Sequence, residues 1–145
     1  MSKLVEIFYN LGKHDAQLLR EEAKDLTGTQ IIDREMSIPE YDVTKDYSNW
    51  PVGAPVKSEG QVWILIQPHN AAHYGNNPSA LRALWGLAHT KNPEKAKPWV
   101  DAYGTSGMYM KDECYKDEDG HVWKALNDNL VYNAVALPTA WEQVM

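Results

Sequence analysis

Gly60-Gln61-Val62-Trp63 returns, with one substitution, as Gly120-His121-Val122-Trp123. In each place a glycine, able to take the positive φ of a tight turn, leads into residues that favour a pleated strand. Each copy follows a short β-like run (54–57; 108–115) and a polar turn. The second turn, Asp117-Glu118-Asp119-Gly120, ends in the Asp-Gly pair that favours a tight hairpin. Beyond each copy come another strand-like run (64–67; 124–127), an Asn-rich loop, a Tyr (Tyr74; Tyr132), a Pro (Pro78; Pro138) and a closing Trp (Trp85; Trp141). The chain therefore reads as an internal repeat of about 60 residues. It predicts two small, mainly β, three-stranded modules over 41–88 and 99–145. The segment 89–98 (HTKNPEKAKP) reads as an exposed linker between them.

Upstream of the repeat the text is helical, so the fold class is α+β. Leu4, Ile7, Phe8 and Leu11 form one apolar stripe and Leu18, Leu19, Ala23 and Leu26 another, at three-to-four spacing, with Gly12 as a break between them. Thr27 with Gln30 reads as a capping box for a short helix over 29–34, stopped by Ser37-Ile38-Pro39. A single stripe cannot make its own core. The segment 1–40 must dock on the rest of this chain, on a sister chain in a homo-oligomer, or on a larger assembly.

Composition narrows the function classes. The 145 residues carry 14 basic and 20 acidic side chains, a formal charge of −6. That balance argues against counterion-releasing nucleic-acid binding and against an anionic membrane surface. The single cysteine, Cys114, allows neither an internal disulfide nor a multi-Cys zinc site. There is no long apolar window and no signal-peptide pattern, which predicts a protein made in a reducing cytosol. The aromatics are skewed to six Trp and eight Tyr against one Phe, and Trp is absent before residue 50. Trp and Tyr keep a polar handle, so the skew points to thin cores and aromatic faces.

With those residues in view, the repeat resembles the small chitin-binding type-3 modules, the carbohydrate-binding families 5 and 12. Gln67-Pro68-His69 in the first copy looks like that family's Gln-Pro-His. In the second, Pro98-Trp99-Val100, Tyr109, Lys111-Asp112, Gly120–Trp123, Asp128–Tyr132 and Pro138–Trp141 are similar to a variant common in bacteriophage proteins. A helical N-terminus followed by two such modules resembles small structural proteins of phages and prophages of Gram-positive bacteria. The resemblance spans 47–145 at module level. It departs from the family at Gly53-Ala54 and Lys111, where Gly-Asp and Gly are usual, and in carrying Tyr where the exposed platform is usually Trp.

A pyranose has an apolar face that stacks on a flat ring and hydroxyls that bond flanking amides and carboxylates. Tyr74 with Asn70, Asn76 and Asn77 meets that requirement, as does Tyr132 with Asn127, Asp128 and Asn129; Trp50 and Trp99, at the module entrances, join them as candidates. The bland reading of the same loops is turn formation. Trp63, Trp85, Trp123 and Trp141 read as core, because so small a module needs large side chains to bury enough area. His69 and His73 have the spacing of a zinc pair but sit in a Pro/Asn loop, and Asp117-Glu118-Asp119 lacks the distal Glu of a calcium loop; no metal or cofactor is expected. Neither a nucleophile motif nor a phosphate loop is present, so the chain reads as non-enzymatic. The resemblance implies a virion protein that displays weak, multivalent modules to host-surface polysaccharide or peptidoglycan, and that meets other virion proteins through 1–40. The alternative expectation is a protein–protein module within the particle that binds no sugar.

Overall fold

The computed structural model describes residues 3–145; residues 1 and 2 of the helical segment lie outside the described residues. Helix α1 (Lys3–Glu22) runs unbroken through Gly12. One mid-helix glycine costs only about 1 kcal/mol against alanine, too little to split a helix of 20 residues. A short 3-10 turn (Ala23–Asp25) leads to α2 (Gly28–Asp33), one residue earlier than the spacing predicts. The capping box is formed: the Gln30 N–H donates to Thr27 Oγ1 at 3.2 Å, and the Thr27 N–H donates to Gln30 Oε1 at 2.9 Å. No helix among the described residues is long and apolar enough to cross a membrane.

The first sheet is antiparallel with strand order β1 (Pro55–Ser58), β2 (Gln61–Leu65), β3 (Trp85–Leu87). Period-two alternation makes β2 serve both faces. Trp63 and Leu65 point into a core with Tyr47, Val56 and Trp85, while Val62 and Ile64 meet Leu19, Ala23, Ile31, Ile32 and Ile38. The second apolar stripe therefore docks on this chain's own sheet. The first does not: Leu4, Ile7, Phe8 and Leu11 are all exposed. The segment read as one anchoring unit is divided, its later half being part of the first module's core.

The second sheet has four strands where three were predicted: β4 (Lys97–Pro98), β5 (Cys114–Lys116), β6 (Val122–Ala125) and β7 (Trp141–Gln143), in that order. The extra strand, β4, runs parallel to β5, and it comes from the stretch read as a linker. That reading is corrected throughout 89–98. The Cys114 N–H donates to the Thr90 carbonyl at 2.8 Å, Gln61 Nε2 donates to the Pro98 carbonyl at 2.7 Å, and Lys97 and Lys95 pair with Glu35 and Asp33. Both modules bond the backbone of this stretch, and its Lys95 and Lys97 side chains pair at the end of α2 and in the turn that follows it. Gly28 shows how close the packing is, because a Cβ there would collide with the His89 carbonyl. Burial pushes the Cys114 thiol up to about 11, which leaves it protonated and unreactive at neutral pH.

His89 is the buried titratable group of this junction. Its ring stacks on Tyr109 at 3.6 Å between centroids, and its Nε2–H donates to the Gly107 carbonyl at 2.9 Å. Burial, helped by the nearby Arg82, lowers its pKa to about 4. The folded value lies below the ordinary value of about 6.5, so the unfolded chain takes up the proton first. Stability from this group is complete above pH ~6.5 and is lost as pH falls towards ~4, by about 3 kcal/mol in all. Chemical denaturation from pH 7 to 5 should show about 2 kcal/mol of this loss in the wild type, and His89→Gln should flatten it.

Candidate functional site

Each module is built on three aromatic rings. In the first, Tyr41 stacks on Tyr47 at 5.7 Å and Trp85 meets both edge-on at 5.6 and 5.4 Å. In the second, Trp99 stacks on Tyr109 at 4.9 Å and Trp141 crosses them at 6.0 and 5.5 Å. The backbone fixes the equivalence. Lys57 donates to the Pro39 carbonyl and accepts from the Tyr41 N–H in a parallel bridge, as β4 runs parallel to β5 just before Trp99. Tyr41, which the repeat pattern passed over, is thus the counterpart of Trp99.

Trp50 and Trp99 are placed differently from what a sugar platform needs. The Trp50 ring lies beneath the Arg20 guanidinium (4.5 Å) and Lys45 (5.2 Å) and against the Tyr47 ring. Trp99 gives one face to Tyr109, and its Nε1–H donates to Asp101 Oδ1 at 2.7 Å. Trp63, Trp85 and Trp141 are buried as predicted. Trp123 is half-buried, with its Nε1–H donating to Asp117 Oδ2 at 2.9 Å. The same carboxylate's other oxygen accepts the backbone N–H groups of Asp119 and His121, and these bonds, the indole's first, hold it below the usual carboxylate range. The acidic hairpin tip is therefore a turn organised by Asp117.

Tyr74 and Tyr132 remain at the surface, 48% and 61% exposed. Tyr74 leans edge-on against His69 at 5.4 Å and lines a shallow groove with Leu81, Leu84 and Tyr103. Tyr103, 59% exposed, had no motif to flag it. It sits on a turn of residues 103–106 that reaches the first module because Arg82 donates to the Asp101 carbonyl at 2.9 Å. The polar partners of the two tyrosines mostly serve the loops. Asn70 caps the turn at Ala71–His73, the Asn76 carbonyl accepts from the Tyr41 hydroxyl at 2.8 Å, and Asn77 Nδ2 donates to Glu59 Oε1 at 2.8 Å. Asp128 Oδ1 accepts the Lys111 N–H at 2.9 Å. Asn129 is exposed and holds a left-handed φ of 61°, and Asn127 is exposed.

Hydrogen bonding also changes the alignment of the two loops. Ile66 donates to the Leu84 carbonyl as Leu126 does to Ala140, and Tyr47 donates to His69 as Tyr109 does to Leu130. Between these fixed points the first module carries a longer loop, 70–80 against 131–136, so Pro78 and Pro138 are not equivalent. His69 takes the core place of Leu130. Its Nδ1–H donates to the Gln67 carbonyl at 2.8 Å, and its Nε2 is buried without a partner among the described residues. His73 is exposed, and its Nε2 lies 3.4 Å from Asn70 Nδ2.

No protein-family model matches the chain, and no curated protein matches it significantly.

The Tyr41 hydroxyl is the tie that holds the first loop down. Tyr41→Phe should cost about 1 kcal/mol or less, since the Asn76 carbonyl can turn to water. Hydrogen exchange should show faster amides at Gly75–Asn77, with the Trp85 indole N–H unchanged.

Proposed function

We propose that this chain is a non-catalytic structural protein of a bacteriophage particle, with its two modules turned to host-surface glycan. The observation that carries the sugar-facing part is the division of the aromatics. The modules drive most of their rings into crossed clusters or cover them with chain, while Tyr74, Tyr132 and Tyr103 stay on the surface. An exposed ring on a rigid loop is a platform for the apolar face of a sugar, and holding it in place lowers the entropic cost of binding. Tyr103 beside Tyr74 widens the first platform into a groove. Single contacts of this kind are weak, and repetition over two modules and many particle copies raises avidity. The virion assignment rests on the resemblance of the repeat. It is supported by the exposed stripe Leu4, Ile7, Phe8 and Leu11, which suits docking onto other virion proteins or a second copy of the chain.

A second reading has its own support. The Asn77 and Asp128 side chains are engaged in holding their loops. Fewer polar groups are then free to bond sugar hydroxyls, which suits a protein–protein contact surface better.

Pull-down on chitin, peptidoglycan and bacterial cell walls separates the two. The double variant Tyr74→Ala plus Tyr132→Ala should lose binding about tenfold or more, the equivalent of about 1.4 kcal/mol. Its unfolding midpoint should stay close to wild type because both rings are already exposed. Unchanged retention would remove these tyrosines as the site.

A further inference from the structure

The two modules differ at one place that their shared architecture makes comparable. In the first, the long loop 70–80 crosses the opening aromatic. The Tyr41 hydroxyl donates to the Asn76 carbonyl, and Asn77 Nδ2 reaches the hairpin tip at Glu59. The chain's own residues 75–77 fill the space between opening aromatic, hairpin tip and loop. In the second module the loop 131–136 is shorter, and no hydrogen bond among the described residues joins it to the hairpin tip. A groove of about 710 Å³ is left there, with Trp99 and Tyr115 as its aromatic wall, Lys116, Glu118 and Asp119 on one rim and Asn133 and Val135 on the other. That volume lies within the roughly 300–1,000 Å³ typical of ligand pockets.

The groove's chemistry is that of the filled site with its filler removed. Glu118 and Asp119 are exposed, and their carboxylates make no hydrogen bond or ion pair among the described residues. Tyr115 already accepts the Ala134 N–H at 2.9 Å, which leaves its hydroxyl proton free to donate. Val135, 91% exposed, is an apolar contact with nothing packed on it. Where Asn77 gives Glu59 one amide N–H, a ligand in the second module meets two unpaired carboxylates against the single lysine of the lining, Lys116, and a cation satisfies them better than an amide.

We propose that the second module's groove docks a short, basic peptide segment of a partner protein, laid as residues 75–77 lie across Tyr41. A backbone carbonyl of the ligand faces the aromatic wall, a Lys or Arg side chain meets Glu118 and Asp119, and small residues lie against Val135. This site is independent of the sugar reading, because Tyr132 does not line the groove.

The test uses the full chain, 15N-labelled, titrated with three probes. They are the capped peptide Tyr-Gly-Asn-Lys-Pro-Ser (residues 74–79 with Asn77→Lys), the same peptide with Glu for Lys, and an N-acetylglucosamine hexamer. The Lys peptide should shift the Trp99 indole N–H and the amides of 117–119 and 133–136 saturably, and the Glu peptide should bind at least several-fold more weakly. Glu118→Lys plus Asp119→Lys, at two exposed positions, should weaken the Lys peptide about tenfold or more. Tyr132→Ala should leave its binding unchanged, and this separates failure here from failure of the sugar reading. The proposal is overturned if the Lys peptide gives no saturable shift, if charge reversal does not weaken it, or if the hexamer moves the same signals and displaces it.

Discussion

Two parallel rings crossed by the edge of an indole are the constraint on which both modules depend. Sheets of three and four short strands have too little aliphatic surface to close a core. The triads Tyr41–Tyr47–Trp85 and Trp99–Tyr109–Trp141 supply the missing area, with offset and edge-on contacts that add specificity to burial. Each triad also fixes topology. Its first ring lies at the end of a segment pairing parallel with the first hairpin strand, and its last opens the final strand, so one cluster pins the start, middle and end of a module. Several polar ends of these clusters are satisfied nearby, while the Trp85 indole N–H is buried without a partner among the described residues. The Tyr47 hydroxyl accepts the Asp42 N–H, the Tyr115 hydroxyl accepts the Ala134 N–H, and the Trp141 N–H reaches the Tyr132 carbonyl.

The helical segment and the former linker follow from what this leaves open. A triad covers one face of each sheet. The other face of the first sheet, at Val62 and Ile64, is covered by Leu19, Ile31, Ile32 and Ile38. The corresponding face of the second, at Cys114 and Val122, is covered by Ala96 and Val144. Residues 89–98 thus bridge the modules. Because Tyr109 stacks on both His89 and Trp99, the bridge enters the second module's aromatic cluster directly.

Much of this was legible in residue order. The hairpins at Gly60 and Gly120, the capping box at Thr27, and the buried indoles of Trp63, Trp85 and Trp141 all rest on local chemistry, which the chain writes locally. What escaped depends on contacts distant in sequence. The parallel pairing of Lys97–Pro98 has no periodicity of its own, and the polar look of 89–98 describes side chains, not the backbone bonds they accompany. The repeat was aligned on prolines, whereas hydrogen bonds align it on Leu84 with Ala140, and so the difference in loop length was hidden. Trp50 and Trp99 looked like platforms because exposure is a property of neighbours. Arg20 covers one and Tyr109 the other.

The functional reading rests on a division between rings that hold the modules and rings that face outward. Ring-selective 13C NMR of the tyrosines and indoles, titrated with N-acetylglucosamine hexamer, tests it most directly. A glycan-facing role predicts saturable shifts at the Tyr74 and Tyr132 rings, with the Trp85 and Trp141 indoles unmoved. Tyrosine rings that stay still at saturating sugar, or indole cores that move in their place, would contradict it.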